Sequence, residues 1–181
     1  MRFSEFKEQR LGVLKAARDG ATNETRVPGL LELIRMTKPR RVLEIGCFTG
    51  IATEVFLLHC AHVVAVDCWD AEYIKTAFDG RVGDYPHLTV IRGRSPEALG
   101  VLKPRSFDLC YIDADHNYEA VKADIEACKS LVFPGGYIAG HDYDWWDCPG
   151  VKPAVHECLR KPDYVFEDTS WVVAMTTENG L

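Results

Sequence analysis

The chain has 181 residues, 47% of them hydrophobic and 27% charged, with a formal net charge of −6. That length supports one domain with a sizeable core. The acidic balance argues against a nucleic-acid partner held through phosphate contacts, and no apolar run reaches the length of a membrane span. The first eight residues are charged and lack the apolar segment of a signal peptide, so a cytoplasmic protein is expected. The seven cysteines are odd in number and contain no C-x-x-C pair, which favours reduced thiols over disulfides or zinc ligands.

In chain order, Phe3, Phe6, Leu11, Leu14 and Ala17 recur with roughly helical spacing through residues 3–18, and Asp19-Gly20 ends that helix. Pro28 opens a second helix carrying Leu30, Leu31, Leu33, Ile34 and Met36, closed by Lys38-Pro39. Residues 1–38 are expected to form a helical extension packed on a core of residues 39–181, within a single domain overall. Strand and helix then alternate. Strands are expected at 41–45, 62–67, 88–92, 107–113 and 137–139, and helices at 51–60, 71–78, 96–102, 117–132 and 151–159. The helix at 117–132 is the clearest: Ala120, Val121, Ile125, Cys128 and Leu131 line one face, with Lys122, Asp124 and Lys129 off it. Pro134-Gly135-Gly136 breaks the chain before the fifth strand, and residues 164–167 and 171–176 read as a hairpin that adds an antiparallel edge strand. The pattern predicts an α/β fold, a mostly parallel sheet with helices on both faces.

In such sheets ligands bind beyond the carboxyl ends of the strands. Gly46–Gly50, Asp67, Gly93–Ser95, Asp113–His116 and His141-Asp142 all follow strands, so they converge on one rim. Gly46 and Gly50 permit a sharp turn and a close ligand approach. Glu44 is a carboxylate inside an apolar run. Asp67 follows the glycine turn by about 20 residues, where a carboxylate accepts ribose hydroxyls; capping of the next segment is the competing role. The first loop is Glu44-x-Gly46-x-x-x-Gly50 and not the G-x-G-x-x-G of dinucleotide sites, which disfavours a nicotinamide-dependent oxidoreductase. A carboxylate before the turn suits an ammonium group. A ligand with a ribose at one end and an amino acid at the other satisfies both ends, and S-adenosylmethionine is such a ligand.

The series Val-Leu-Glu-Ile-Gly-Cys-Phe-Thr-Gly, Val-Val-Ala-Val-Asp, Gly93-Arg94-Ser95-Pro96-Glu97-Ala98-Leu99, Tyr-Ile-Asp-Ala-Asp-His and Pro-Gly-Gly-Tyr-Ile-Ala-Gly-His-Asp resembles the class I S-adenosylmethionine-dependent methyltransferases. Within these it is similar to the small subgroup related to metal-dependent catechol-type O-methyltransferases. The resemblance spans residues 40–176 and implies a Rossmann-like, seven-stranded, mostly parallel sheet with its last strand antiparallel. It assigns Glu44 and Gly46 to the methionine end of the cofactor with Phe48 against it, Asp67 to the ribose, Ser95 to the adenine edge, and Asp113 to the methionine end near the reaction centre. The serine that the family often carries at position 52 is replaced by Ala52, which leaves open a substitution by Thr53.

The same resemblance implies a divalent metal, Mg or Mn, at Asp113, His141 and Asp142, with His141-Asp142 standing where relatives carry an acidic or Asp-Asn pair. His116 occupies the position of the relatives' lysine base, and imidazole suits that task near neutral pH; Asp115 would orient it or act as base itself, or else cap the following helix. The acidic, aromatic stretch 142–150 reads either as a substrate lid or as a surface on which Trp145 and Trp146 pack against the core or a second subunit in a homodimer. The expected function is O-methylation of a small hydroxylated acceptor. Metal-independent transfer and a non-catalytic cofactor-binding module are the alternatives.

Overall fold

The computed structural model describes residues 3–16 and 27–176; the end expected for the first helix at Asp19-Gly20 lies outside the described residues. The described residues form, in order, α1 (Phe3–Ala16), α2 (Val27–Thr37), β1 (Arg41–Ile45), α3 (Ile51–Leu57), β2 (His62–Asp67), α4 (Glu72–Val82), β3 (Leu88–Arg92), a 3₁₀ turn (Glu97–Val101), β4 (Phe107–Ile112), α5 (Tyr118–Leu131), β5 (Val132–Gly140), α6 (Val151–Cys158), β6 (Tyr164–Val165) and β7 (Trp171–Ala174). No helix among them is long and apolar enough to cross a membrane.

The seven strands make one sheet in the order β3-β2-β1-β4-β5-β7-β6. Pairings from β3 through β5 are parallel, and β7 runs antiparallel to both of its neighbours. Side chains alternate strictly between two cores, as a doubly covered sheet requires. Val42, Val63, Leu109 and Val172 face the layer of α1, α2, α3 and α4, where Leu14, Leu30, Phe56 and Phe78 are fully buried. Leu43, Val64, Cys110, Ile138 and Val173 face α5 and α6, against Val121, Ile125 and Ala154.

Two expectations at the C-terminal half are corrected. The hairpin does not add its antiparallel strand at the edge: β7 inserts beside β5, and the two-residue β6 becomes the edge. The reason is burial. Trp171, Val172 and Val173 are apolar toward both faces and fully covered, whereas Tyr164 and Val165 are exposed. Pro134-Gly135-Gly136 likewise does not precede the fifth strand but lies within it. Val132 pairs with Phe107 and Tyr137 with Leu109, and the intervening residues are taken up by Met175, which exchanges backbone hydrogen bonds with Gly135 and Gly136. Shorter differences occur at helix ends: α3 stops at Leu57, and α4 continues to Val82.

The first helix is tied to the sheet layers by a buried charge. Glu54 on α3 is fully buried, and Arg10 of α1 reaches it with both Nε (2.5 Å) and Nη2 (2.8 Å). The Tyr85 hydroxyl donates to Oε1 at 3.1 Å, and Arg81 stands 3.6 Å from Oε2. Arg81 also donates from Nε to the carbonyl of Thr49. The network therefore links α1 to the loop after β1. Arg10→Met is expected to lower the unfolding free energy by about 2 kcal/mol, since removing one partner leaves a buried carboxylate short of charge. Urea denaturation measures this, and a loss under about 0.5 kcal/mol would mean the pair behaves as a surface ion pair.

Candidate active site

The parallel ladder continues one residue past each strand. Gly46 donates to Val66, Asp113 to Ile45, His141 to Ile112 and Gly93 to Asp67, all through backbone N–H groups at 2.8–3.1 Å. These bonds bring Gly46, Asp67, Gly93, Asp113 and His141 to one rim although they span nearly 100 residues of chain. Gly46 has φ 85°, and a Cβ there would lie 2.2 Å from the Asp113 carbonyl oxygen. Only glycine permits both the turn and the approach of the two backbones.

Asp67 fixes the loop. Its Oδ2 accepts from the backbone N–H groups of Cys47 (2.8 Å) and Phe48 (2.9 Å), and its Oδ1 from that of Trp69 (2.7 Å). The Trp69 indole in turn donates to the Phe48 carbonyl at 2.9 Å. A carboxylate has about four acceptor sites, so three backbone bonds leave capacity toward the cleft that Asp67 also lines. The local capping bond to Trp69 and the exposure to the cleft thus coexist.

The cleft has a volume of about 320 Å³. Gly46, Phe48, Asp67, Ser95 and Asp113 all line it, together with Asp115 and Asp124. Glu44 is fully buried and stands behind this wall, beside Cys47, whose thiol is pushed well up by burial and then by Glu44 and Asp67. Thr53 is also fully buried, beside Cys47, and is not among the residues that line the cleft.

A charged cluster closes the β4–β5 end. His116 Nε2 lies 2.7 Å from Asp142 Oδ2 and 3.5 Å from Asp113 Oδ1, and His141 Nδ1 lies 2.9 Å from Asp142 Oδ1. Asp113 and then Asp142 push the His116 imidazole up to about 10, against the opposing effect of burial. Burial alone would raise Asp142, but His116 and His141 outweigh it and hold that carboxyl below the usual range. Asp113, His141 and Asp142 offer donor atoms all within 4.8 Å of one another. His141 is 6% exposed, and its Nε2 has no hydrogen-bond partner among the described residues.

The hydrogen bonds of Asp115 go to Asn117 and not to His116. Its Oδ1 accepts from the backbone and side-chain amides of Asn117 at 2.9 and 2.6 Å, shaping the turn before α5. It borders both the cleft and a second pocket of about 550 Å³ formed with His116, Asn117, Tyr118, Asp147, Pro149, Gly150 and Pro153. Gly150 closes this pocket: a Cβ on it would lie 2.4 Å from the Tyr118 nitrogen and 2.5 Å from the His116 carbonyl oxygen. Asp147, Pro149 and Gly150 therefore form one wall of the pocket, while Trp146 is 80% exposed, its ring tilted by 41° to that of Trp145 with centroids 6.4 Å apart, and neither tryptophan lines either pocket. The sequence reading gives no site role to Asp124 or Tyr118, and names Asp147 and Gly150 only within the stretch 142–150.

A family model described as a methyltransferase domain matches residues 43–143, more than half of the chain. The chain belongs to this methyltransferase family. O-methyltransferase hkm8 of Aspergillus hancockii is 37% identical over 135 residues, 65% of this chain and 52% of its own length. A caffeoyl-CoA O-methyltransferase of Populus kitakamiensis is 29% identical over 138 residues, 71% of this chain and 58% of its own length. The chain spans about half the length of the curated relatives it matches. The solved structure of the Bacillus cereus O-methyltransferase in complex with SAH superposes with a TM-score of 0.68 at 18% identity, over 97% of this chain and 90% of that one, a likeness of fold. The matched residues of the methyltransferase domain include the last three residues of β1, all of β2, β3, β4 and β5, and the charged cluster of Asp113, His116, His141 and Asp142.

Two outcomes follow for this methyltransferase domain. In the metal-free protein the His116 ring is expected to stay protonated across pH 6–8 and to titrate near 10, which proton NMR of its ring carbons reads directly. The raised value means that its stabilising contribution is complete below about 6.5, the ordinary histidine value, and is lost as pH rises through about 10. Gly46→Ala is expected to cost about 3 kcal/mol, because strain at positive φ adds to the collision with Asp113; thermal unfolding checks it.

Proposed function

We propose that the chain is an S-adenosylmethionine-dependent O-methyltransferase acting on a small-molecule acceptor, aided by a divalent metal. The observation that carries this reading is the meeting of two pockets at Asp115: a cleft lined by the Asp67 carboxylate and Asp113, and a polar pocket bordered by His116 of the charged cluster. The names of the relatives support O-directed transfer, and solved neighbours contain SAH or SAM.

The nucleoside moiety would lie between Asp67 and the loop at Gly93–Ser95, with the sulfonium toward Gly46 and Asp113. Transfer breaks the S–CH₃ bond and forms an O–CH₃ bond, releasing S-adenosylhomocysteine, the methyl ether and one proton. Holding nucleophile and methyl in line supplies much of the rate. Asp115 and Asp147 would present acceptors to the substrate's polar groups, while the Tyr118 hydroxyl on the same wall donates to Glu157. This wall suits a polyhydroxylated acceptor better than an extended apolar one.

The residues present fit a divalent ion: two carboxylates and an imidazole converge, and the buried Nε2 of His141 has no hydrogen-bond partner among the described residues. Asp113, His141 and Asp142 would hold it, a mixed oxygen and nitrogen set that suits manganese at least as well as magnesium. When bound, the ion lowers the acceptor hydroxyl's pKa and orients it. His116 is the base in this reading. Its Nε2 accepts the acceptor's proton only when the negative charge of Asp113 and Asp142 is compensated, since those carboxylates otherwise keep the ring charged.

A second reading, metal-independent transfer, is favoured by that same protonation. With His116 already an imidazolium, Asp115, exposed at the border of both pockets, becomes the base.

Calorimetry tests the proposal. S-adenosylhomocysteine is expected to bind once per chain, and Asp67→Ala to weaken it tenfold or more; no binding by the unaltered protein overturns the cofactor assignment. Titration with manganese is expected to show one site that Asp113→Asn removes, together with a return of the His116 titration toward about 6.5 on loading. With a competent hydroxylated acceptor, His116→Ala is expected to lower kcat by about 100-fold, whereas an Asp115→Asn variant with the larger loss would select the second reading.

A further inference from the structure

Cys148 carries a thiol that the chemistry above does not use. The cysteine spacing offers no ligand pair in the sequence, but the fold gives Cys148 other company. One donor atom each from Cys148, His116 and Asp142 lies within 4.8 Å of the others. Gly150 brings the three together. Its backbone presses so closely on the turn before α5 that a Cβ would stand 2.5 Å from the His116 carbonyl oxygen. The Cys148 N–H donates to the Trp145 carbonyl at 3.0 Å, and the Cys148 carbonyl accepts from the Val151 N–H at 3.2 Å. The backbone on both sides of the thiol is thereby fixed. The same loop starts with left-handed backbone at Asp142 (φ 58°) and Asp144 (φ 66°), a conformation that these residues keep only where their surroundings impose it.

This donor set differs in chemistry from Asp113, His141 and Asp142. Asp142 belongs to both, with Oδ1 2.9 Å from His141 and Oδ2 2.7 Å from His116. The other set is two carboxylates and an imidazole; here a thiol takes the place of one carboxylate. Sulfur is a soft donor that suits magnesium and manganese poorly, whereas zinc accepts thiolate, imidazole and carboxylate alike. A thiolate and a carboxylate together cancel the double charge of the ion, and imidazole binds in its neutral form. Three protein ligands leave a tetrahedral zinc one further position for water. The site is also within reach of solvent. The His116 side chain is 35% exposed and lines the pocket of about 550 Å³, which gives an ion its entry.

We propose that His116, Asp142 and Cys148 form a zinc site, separate from the set at Asp113, His141 and Asp142, and that zinc bound there withdraws the His116 imidazole from proton transfer. The binding site stands on the geometry alone; its effect on transfer rests on the reading of His116 as the base. An imidazole bound to zinc through one nitrogen keeps its proton on the other, so neither nitrogen is free to accept one. Zinc at this point is therefore an inhibitor of the reaction and not its working ion.

Cobalt(II) stands in for zinc in the test, because a thiolate–cobalt bond gives a near-ultraviolet charge-transfer band that imidazole and carboxylate ligands do not. The full chain, kept reduced with a phosphine, is expected to develop this band with one cobalt per chain, and zinc is expected to displace it. Cys148→Ser is expected to abolish the band and to weaken zinc binding, measured by calorimetry, about tenfold or more, since even an outer partner of a metal ligand is worth about that much. Asp113→Asn is expected to keep the band. Absence of the band, its survival in Cys148→Ser, or its loss in Asp113→Asn overturns the site. Should Cys148→Ser fail to fold, His116→Gln replaces it, and an unchanged band and zinc affinity in that variant overturn the site equally. With a competent hydroxylated acceptor, zinc is expected to slow transfer by the unaltered protein and Cys148→Ser to escape this inhibition; equal sensitivity overturns the inhibitory role. The cobalt readings need neither cofactor nor acceptor, so their failure is distinct from failure of the methyltransferase reading.

Discussion

The cleft exists because the loop after β1 touches the backbone at the end of β4. At Gly46 the space a side chain would need is filled by the Asp113 carbonyl, 2.2 Å from where a Cβ would stand. This contact fixes the height of both loops on the rim. Asp113 projects toward the β5 end only because its own backbone is held there by Ile45. Every later feature of the site inherits that placement: the cleft wall, the position of His116 three residues on, and the border shared by the two pockets.

Asp67 complements this steric constraint with an electrostatic one. A single carboxylate gathers three backbone N–H groups and sets the loop 46–48 before any ligand arrives. Preorganisation of this kind reduces the ordering cost of binding. The Glu54 network works behind it, since Arg81 bridges the buried glutamate and the Thr49 carbonyl. The Asp67 end of the cleft is thus held from two sides.

The other end is organised by charge. Asp113 and Asp142 face one imidazole, and His141 supports the second of these carboxylates. Two acids around one histidine leave a net negative point, held by the His116 imidazolium. In the function proposed above, protonation of His116 and cation binding would compete to neutralise the same pair. That competition explains how one cluster supports both a metal-assisted and a metal-free reading.

The local code of the chain determined the order of elements and the rim. The strand bounds at 62–67 and 88–92 coincide with those observed, because β-branched runs flanked by turn residues leave little choice. Gly46, Asp67 and Asp113 were legible because strand ends in a parallel sheet share one edge. Contacts between elements distant in the chain were not legible. The position of β7 inside the sheet depends on how Trp171–Ala174 fills the space beside β5, and the partners of His116 depend on the approach of β4 and β5. Asp124 shows the limit most clearly: helical periodicity sets it off the apolar face of α5, yet it is 2% exposed, with the Ser95 side chain hydrogen-bonded to it. Periodicity records which face of an element is apolar; burial of a polar residue is decided by what the rest of the chain lays over it.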